Sequence, residues 1–196
     1  MINLIREKAA KYYPEVQAIR HHIHSNPELS FEEYKTSAFI SEKLTSWGIE
    51  HQTGVAGTGV VALIKGKNPD KRCIALRADM DALPIQEAND TPYRSKNDGV
   101  MHACGHDVHS SCLLGTARIL SELKDEFEGT VKLIFQQGEE KHPGGASLLI
   151  AAGVLENPKP EAIYALHVYP HLPSGTAGFR AGKYMASADE IYITIE

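Results

Sequence analysis

The 196-residue sequence has no surplus of basic charge, no long apolar run and only three cysteines. Each shortage excludes something. Twenty Lys and Arg stand against 25 Asp and Glu, a formal net charge of −5. Nucleic-acid binding needs a basic surface to neutralise phosphate, so no nucleic-acid partner is expected. No stretch approaches the roughly 18 apolar residues of a membrane span, and no membrane partner is expected either. The first residues, MINLIREKAAKYYPEV, mix charged and apolar side chains at helical spacing and do not read as a signal peptide. Cys73, Cys104 and Cys112 are odd in number and show no disulfide-like spacing. That fits a reducing cytoplasm, where a cysteine is buried, catalytic or metal-bound. No Cys-x-x-Cys pair is present, which makes a thiol redox protein a poor reading. Repeats and low-complexity segments are also missing.

What remains is ordinary globular composition, 42% hydrophobic and 23% charged, enough for one well-cored domain. Leu4 to His24 has helical periodicity, with an interruption expected near Pro14. Ser30 and Glu33 form a capping-box pattern opening a second helix from about Phe31 to Trp47, stopped by Gly48. The pattern then turns to short β-type runs at Gly59–Ile64 and Cys73–Leu76, split by a turn-rich segment. Next come a helix at Val108–Leu123, a strand at Thr130–Phe135, a helix at Gly145–Ala152 and a strand at Ala162–Leu166. Ile191–Ile195 alternates like a half-exposed strand. Strands alternating with helices predict a layered α/β domain around a central mixed, mostly parallel sheet flanked by helices.

The densest chemistry lies in VMHACGHDVH, which sets His102, Cys104, His106, Asp107 and His109 within eight residues. Thiolate, imidazole and carboxylate are the ligand types of zinc and its first-row neighbours. Gly105 lets the backbone bend so that Cys104 and His106 reach one ion or two adjacent ions. The bland alternative is a buried cysteine beside a capping Asp107 with surface histidines; so many donors in so short a run weigh against it. His102 and His109 are left open as supporting donors or surface residues. Three further places fall at or beyond strand ends, where ligands bind in open α/β sheets. Asp79 and Asp81 follow Cys73–Leu76, where they orient a ligand or merely cap a turn. Glu139 and Glu140 follow Thr130–Phe135, and adjacent carboxylates repel unless a cation or proton lies between them. That pairing allows one carboxylate to bind metal while its neighbour takes a proton, although a solvated acidic loop is the commoner setting for two glutamates. His167 follows Ala162–Leu166; alone, such a histidine is more often structural. His171, in a Pro-rich loop, is a weaker candidate.

Five segments together resemble the amidohydrolase branch of the M20 metallopeptidase superfamily. They are RHHIHSNPELSFEE (Arg20–Glu33), LRADMDALPIQE (Leu76–Glu87), MHACGHDVH (Met101–His109), the Glu139–Glu140 pair with PGGA (Pro143–Ala146), and ALHVYPHLPSGTAG (Ala165–Gly178). The resemblance implies hydrolysis of the amide bond of N-acyl amino acids or short peptides by a metal-activated water. It implies two divalent ions (zinc, manganese, cobalt or nickel) held by Cys104, His106, Glu140 and His167, with Glu139 as general base. Asp81 falls where related peptidases place a ligand-orienting aspartate in the catalytic machinery. Where family members often read Gln-Pro-Ala-Glu-Glu this chain has Gln136-Gln-Gly-Glu139-Glu140, and Lys141-His142 follows where a small residue is common. By the resemblance, residues 1–188 are the N-terminal part of a catalytic domain. Residues 189–196 are a strand near the crossover to a lid or dimerisation domain, which would make a full-length homo-oligomer; a return to the catalytic domain beyond it would carry the last histidine ligand. The competing expectation is a catalytically incomplete metal-binding fragment or assembly partner.

Overall fold

A computed structural model of the chain describes residues 1–184, 191 and 193–195. Its elements run α1 (Ile2–Ser25), α2 (Tyr34–Ser46), β1 (His51–Val55), β2 (Gly59–Lys65), β3 (Cys73–Asp79), α3 (His106–Glu122), β4 (Thr130–Gln136), α4 (Gly145–Ala151) and β5 (Ala162–Ala165). The expected strand at 191–195 lies partly outside the described residues, and its described members are in no strand.

The five strands form one sheet in the order β1-β2-β4-β3-β5. β1 with β2 and β2 with β4 are antiparallel; β3 lies parallel to both β4 and β5. The sheet is thus mixed, with its parallel half made by β4, β3 and β5. β4 is central and every residue in it is buried, as expected for a strand covered on both faces. Its alternate side chains divide between two cores. Val131, Leu133 and Phe135 pack with Ile19 and Ile23 of α1, Ile40 and Leu44 of α2, and Leu113, Leu114 and Ala117 of α3. Ile134 faces the other way, onto Leu149 of α4 and Val154. Lys132, buried on that second face, donates to the carbonyls of Val154 (2.6 Å) and Glu156 (2.7 Å) just past α4. No helix among the described residues is long and apolar enough to cross a membrane.

Two local expectations are corrected. α1 runs unbroken through Pro14, because its packing along α3 outweighs one missing backbone hydrogen bond. The capping box at Ser30 and Glu33 is not made. Phe31 sits at φ +69°, α2 begins only at Tyr34, and no side chain caps it. Ser30 Oγ instead donates to Asp81 (2.6 Å), and Glu33 turns inward to accept from Thr58 Oγ1 (2.6 Å), the Gly138 amide (2.8 Å) and the Phe31 amide (2.9 Å). A buried carboxylate with three donors outweighs a cap that solvent could replace.

Candidate metal centre

β3, β4 and β5 are parallel, so their carboxyl ends share one edge of the sheet, with Asp79 of β3 in register with Gln136 of β4. The chain leaves β3 through Asp79-Met80-Asp81, leaves β4 through Glu139-Glu140, and leaves β5 through His167. α3 connects β3 to β4, so its first residue, His106, lies at the same edge. Gly105 precedes it at φ +84°, a left-handed conformation that glycine adopts without steric cost.

His106 is wholly buried. Its Nδ1 lies 2.9 Å from the Asp81 carbonyl oxygen and 3.2 Å from Asp81 Oδ1. A carbonyl can only accept, so Nδ1 carries the proton and Nε2 presents a lone pair. That Nε2 is buried without a hydrogen-bond partner, as is Glu140 Oε1, 3.7 Å away. Glu139 Oε2 is 3.9 Å from the same nitrogen. Cys104 Sγ is 3.3 Å from His167 Nε2, and His167 Nδ1 donates to the Val168 carbonyl at 2.7 Å. Here too Nε2 is left as the acceptor. Two imidazoles in the ligand tautomer, a thiol and a pair of glutamates therefore face one another. Within Cys104/His106/His167 and within His106/Glu139/Glu140, one donor atom from each residue lies within 4.8 Å of the others. Lone pairs and carboxylates converging with no donor among them but the Cys104 thiol leave a place that a divalent cation would fill.

The electrostatics agree. Burial, together with Glu140, Glu139 and Asp79, pushes the Cys104 thiol up to about 12. Without a cation it stays protonated at neutral pH, which argues against a redox thiol; a bound metal ion would supply the charge that makes it a thiolate. Burial and the charge of Glu140 raise the Glu139 carboxyl above the usual range. Asp81 is fixed from three sides: Ser30 Oγ donates to it, the Glu140 amide donates to it (2.9 Å), and His106 lies against it. It thereby ties α3, the loop after β3 and the loop after β4 together.

A profile of the peptidase family M20/M25/M40 matches residues 75–194. The chain belongs to that family. It is 45% identical over 181 residues to an N-acyl-L-amino acid amidohydrolase of Geobacillus stearothermophilus, covering 92% of this chain and 48% of the relative. The putative amidohydrolase YhaA of Bacillus subtilis is 46% identical over 183 residues, covering 93% of this chain and 46% of its own. Among solved structures, the Bacillus subtilis YXEP protein, described as a dinuclear metal binding peptidase from the M20 family, superposes with a TM-score of 0.78 at 42% identity. That match covers 84% of this chain and 45% of the solved one. The chain spans about half the length of the curated relatives it matches.

The structure brings Cys104, His106, Glu139, Glu140, His167 and Asp81 to one edge. His171 instead lies at the surface, edge-on to the Tyr169 ring. His102, Asp107, His109 and Asp79, left open by the sequence, are all buried. Asp107 accepts from Arg20 Nε (2.7 Å) and His24 Nδ1 (2.9 Å) and serves as an anchor between α1 and α3. Burial holds His102 down to about 4, a neutral ring at physiological pH. Glu33 and Ser30 are supports the sequence concealed, because their pattern matched a helix start.

Proposed function

We propose that this chain supplies the metal-binding catalytic centre of an amidohydrolase that cleaves the amide bond of N-acyl amino acids or short peptides. One observation carries the reading: the buried, unpartnered His106 Nε2 aims its lone pair at the unpartnered Glu140 oxygen. A divalent cation between them would satisfy both. Cys104, His106, Glu140 and His167 would hold two divalent ions, of which zinc, manganese, cobalt and nickel suit this mixed donor set. When bound, such ions polarise a substrate carbonyl and make water a stronger acid.

The chain's own residues do the rest. Glu139 takes the proton of the attacking water and returns it to the nitrogen of the leaving amine. Its raised pKa and partial exposure, with 41% of the side chain open to solvent, support this role. Asp81 holds His106 in its tautomer and orientation and is a positioning residue. The relative named as an N-acyl-L-amino acid amidohydrolase supports the substrate class. Residues 1–188 form the catalytic α/β portion in this reading, with 189–196 leading toward a lid or dimerisation domain and a homo-oligomer. The three free cysteines support a reducing, cytoplasmic setting.

The assay is release of free amino acid from N-acetyl or N-benzoyl amino acids by the metal-loaded protein. Glu139→Gln is expected to lower turnover by at least 10²-fold, within the usual range for a general base, with metal content unchanged. Undiminished turnover in that variant would overturn the assignment. A second reading is supported by the share of its relatives that the chain spans: these 196 residues bind metal but do not turn over unaided. Robust hydrolysis by the 196-residue chain rejects it.

A further inference from the structure

Asp79, His106 and His109 also bring donor atoms within 4.8 Å of one another, all three buried. By composition they look like another cation site. By hydrogen bonding Asp79 and His109 are already engaged. Asp79 Oδ1 accepts from His109 Nδ1 at 2.6 Å, and Asp79 Oδ2 accepts from Arg77 Nη1 at 2.8 Å. His109 Nε2 accepts the backbone N–H of Val168 at 2.9 Å. An amide N–H only donates, so it fixes the His109 tautomer and occupies the lone pair a metal would need.

The residue His109 grips is the neighbour of His167, and this gives His109 its purpose. The His167 ring is itself hydrogen-bonded to the carbonyl of Val168, the same residue whose N–H His109 holds. Val168 is gripped a second time: a Cβ at Gly105 would lie 2.3 Å from Val168 Cγ2. The bare backbone before α3 and the segment after β5 are therefore in close contact. Among the described residues little else steadies that segment, where residues 166–171 are all exposed. The grip traces back to the sheet, since Arg77 of β3 also donates from Nε to Gln136 Oε1 of β4 (2.8 Å).

We propose that His109, oriented by Asp79, is a positioning residue that sets His167 against Cys104 through the Val168 backbone and is not a ligand. The inference rests on the metal-centre reading. Such supporting residues are typically worth 10–100-fold in metal affinity.

The test is a cobalt(II) titration of the metal-free full chain, read by the thiolate-to-cobalt charge-transfer band that reports Cys104 ligation. His109→Leu fills the buried volume but accepts nothing, and its expected loss is about 10-fold or more in cobalt affinity. His167→Ala is expected to weaken binding as well. The double variant is expected to bind no more weakly than His167→Ala alone, because His109 acts only through His167. His109→Gln, whose Oε1 can accept the Val168 N–H, is expected to recover much of the loss. Should His109→Leu fail to fold, Asp79→Asn carries the comparison. It keeps the volume but opposes donor to donor at either His109 or Arg77, and its expected loss is likewise cancelled by His167→Ala. Additive losses, or full affinity in His109→Leu or Asp79→Asn, would overturn the positioning role alone. A wild-type chain with no thiolate band would overturn the metal-centre reading and this inference with it.

Discussion

At His106, His109 and His167 the proton sits on Nδ1, held there by a backbone carbonyl, a carboxylate and a carbonyl respectively. Their functions differ only in what Nε2 then meets. At His106 it meets nothing, at His167 a thiol, and at His109 a backbone N–H. The sequence made the donor types legible, because Cys104, His106, Glu139 and Glu140 are chemically distinctive and clustered. The role of His109 was not legible, since its deciding partner, Val168, lies 59 residues away along the chain. Another histidine yields a pH prediction. Both ring nitrogens of buried His24 face carboxylates, Asp107 at 2.9 Å and Glu87 at 3.0 Å. The hydrogen bond to Asp107, with help from Glu87, raises its pKa against the opposing effect of burial. The folded pKa thus exceeds the unfolded value of about 6.5. Its stabilisation is full below that value and is lost as pH rises through the folded pKa. Thermal melts of metal-free protein should show wild type losing stability above neutral pH more steeply than His24→Gln. Parallel profiles would contradict the pairing.

The loop from β4 to α4 shows how an element rather than a residue makes a site. Glu139 and Glu140 are aimed by backbone contacts around them: the Gly138 amide on Glu33, the Gly145 amide on the Gly138 carbonyl (2.8 Å), and the Glu140 amide on Asp81. A Cβ on Gly145 would fall 1.6 Å from the Gln137 carbonyl oxygen. Gly145→Ala is therefore expected to cost at least the 1–3 kcal/mol typical of overpacking, because backbone must move. Chemical denaturation would measure it, and a stability within about 0.5 kcal/mol of wild type would refute the close approach. Glu33→Ala strands three donors and is expected to cost about 3 kcal/mol by the same measurement, at roughly 1 kcal/mol or more for each buried unpaired group. At this scale the strands that were legible are the ones with apolar runs, the exposed β5 (Ala162–Ala165) among them. β2, β3 and β4 announce themselves by apolar runs, whereas β1, His-Gln-Thr-Gly-Val, has one apolar residue, lies at the sheet edge and is largely exposed. The capping-box misreading has a similar cause. Ser and Glu three apart satisfy a helix start locally, and only tertiary contacts with Asp81, Thr58 and Gly138 redirect them.

For the whole molecule, the family fold gathers four chain segments, spread from Asp79 to His167, at the carboxyl edge of three parallel strands. The sequence conveyed that gathering because three of the segments follow β-type runs and the fourth opens a helix. It did not convey the antiparallel pairings of β2, since strand direction is set by connections and not by composition. β5 is the outer strand of that parallel half. Among the described residues nothing pairs with its outer edge, and Ile163, Tyr164 and Leu166 are exposed. The central claim is that Cys104, His106, Glu140 and His167 hold divalent metal. Anomalous diffraction from crystals of the zinc-loaded protein tests it most directly. The account predicts anomalous peaks about 2.3 Å from Cys104 Sγ and about 2.0–2.2 Å from His106 Nε2, His167 Nε2 and a Glu140 oxygen, with none bonded to His109. No peak at these atoms, or a peak bonded to Asp79 and His109, would contradict it.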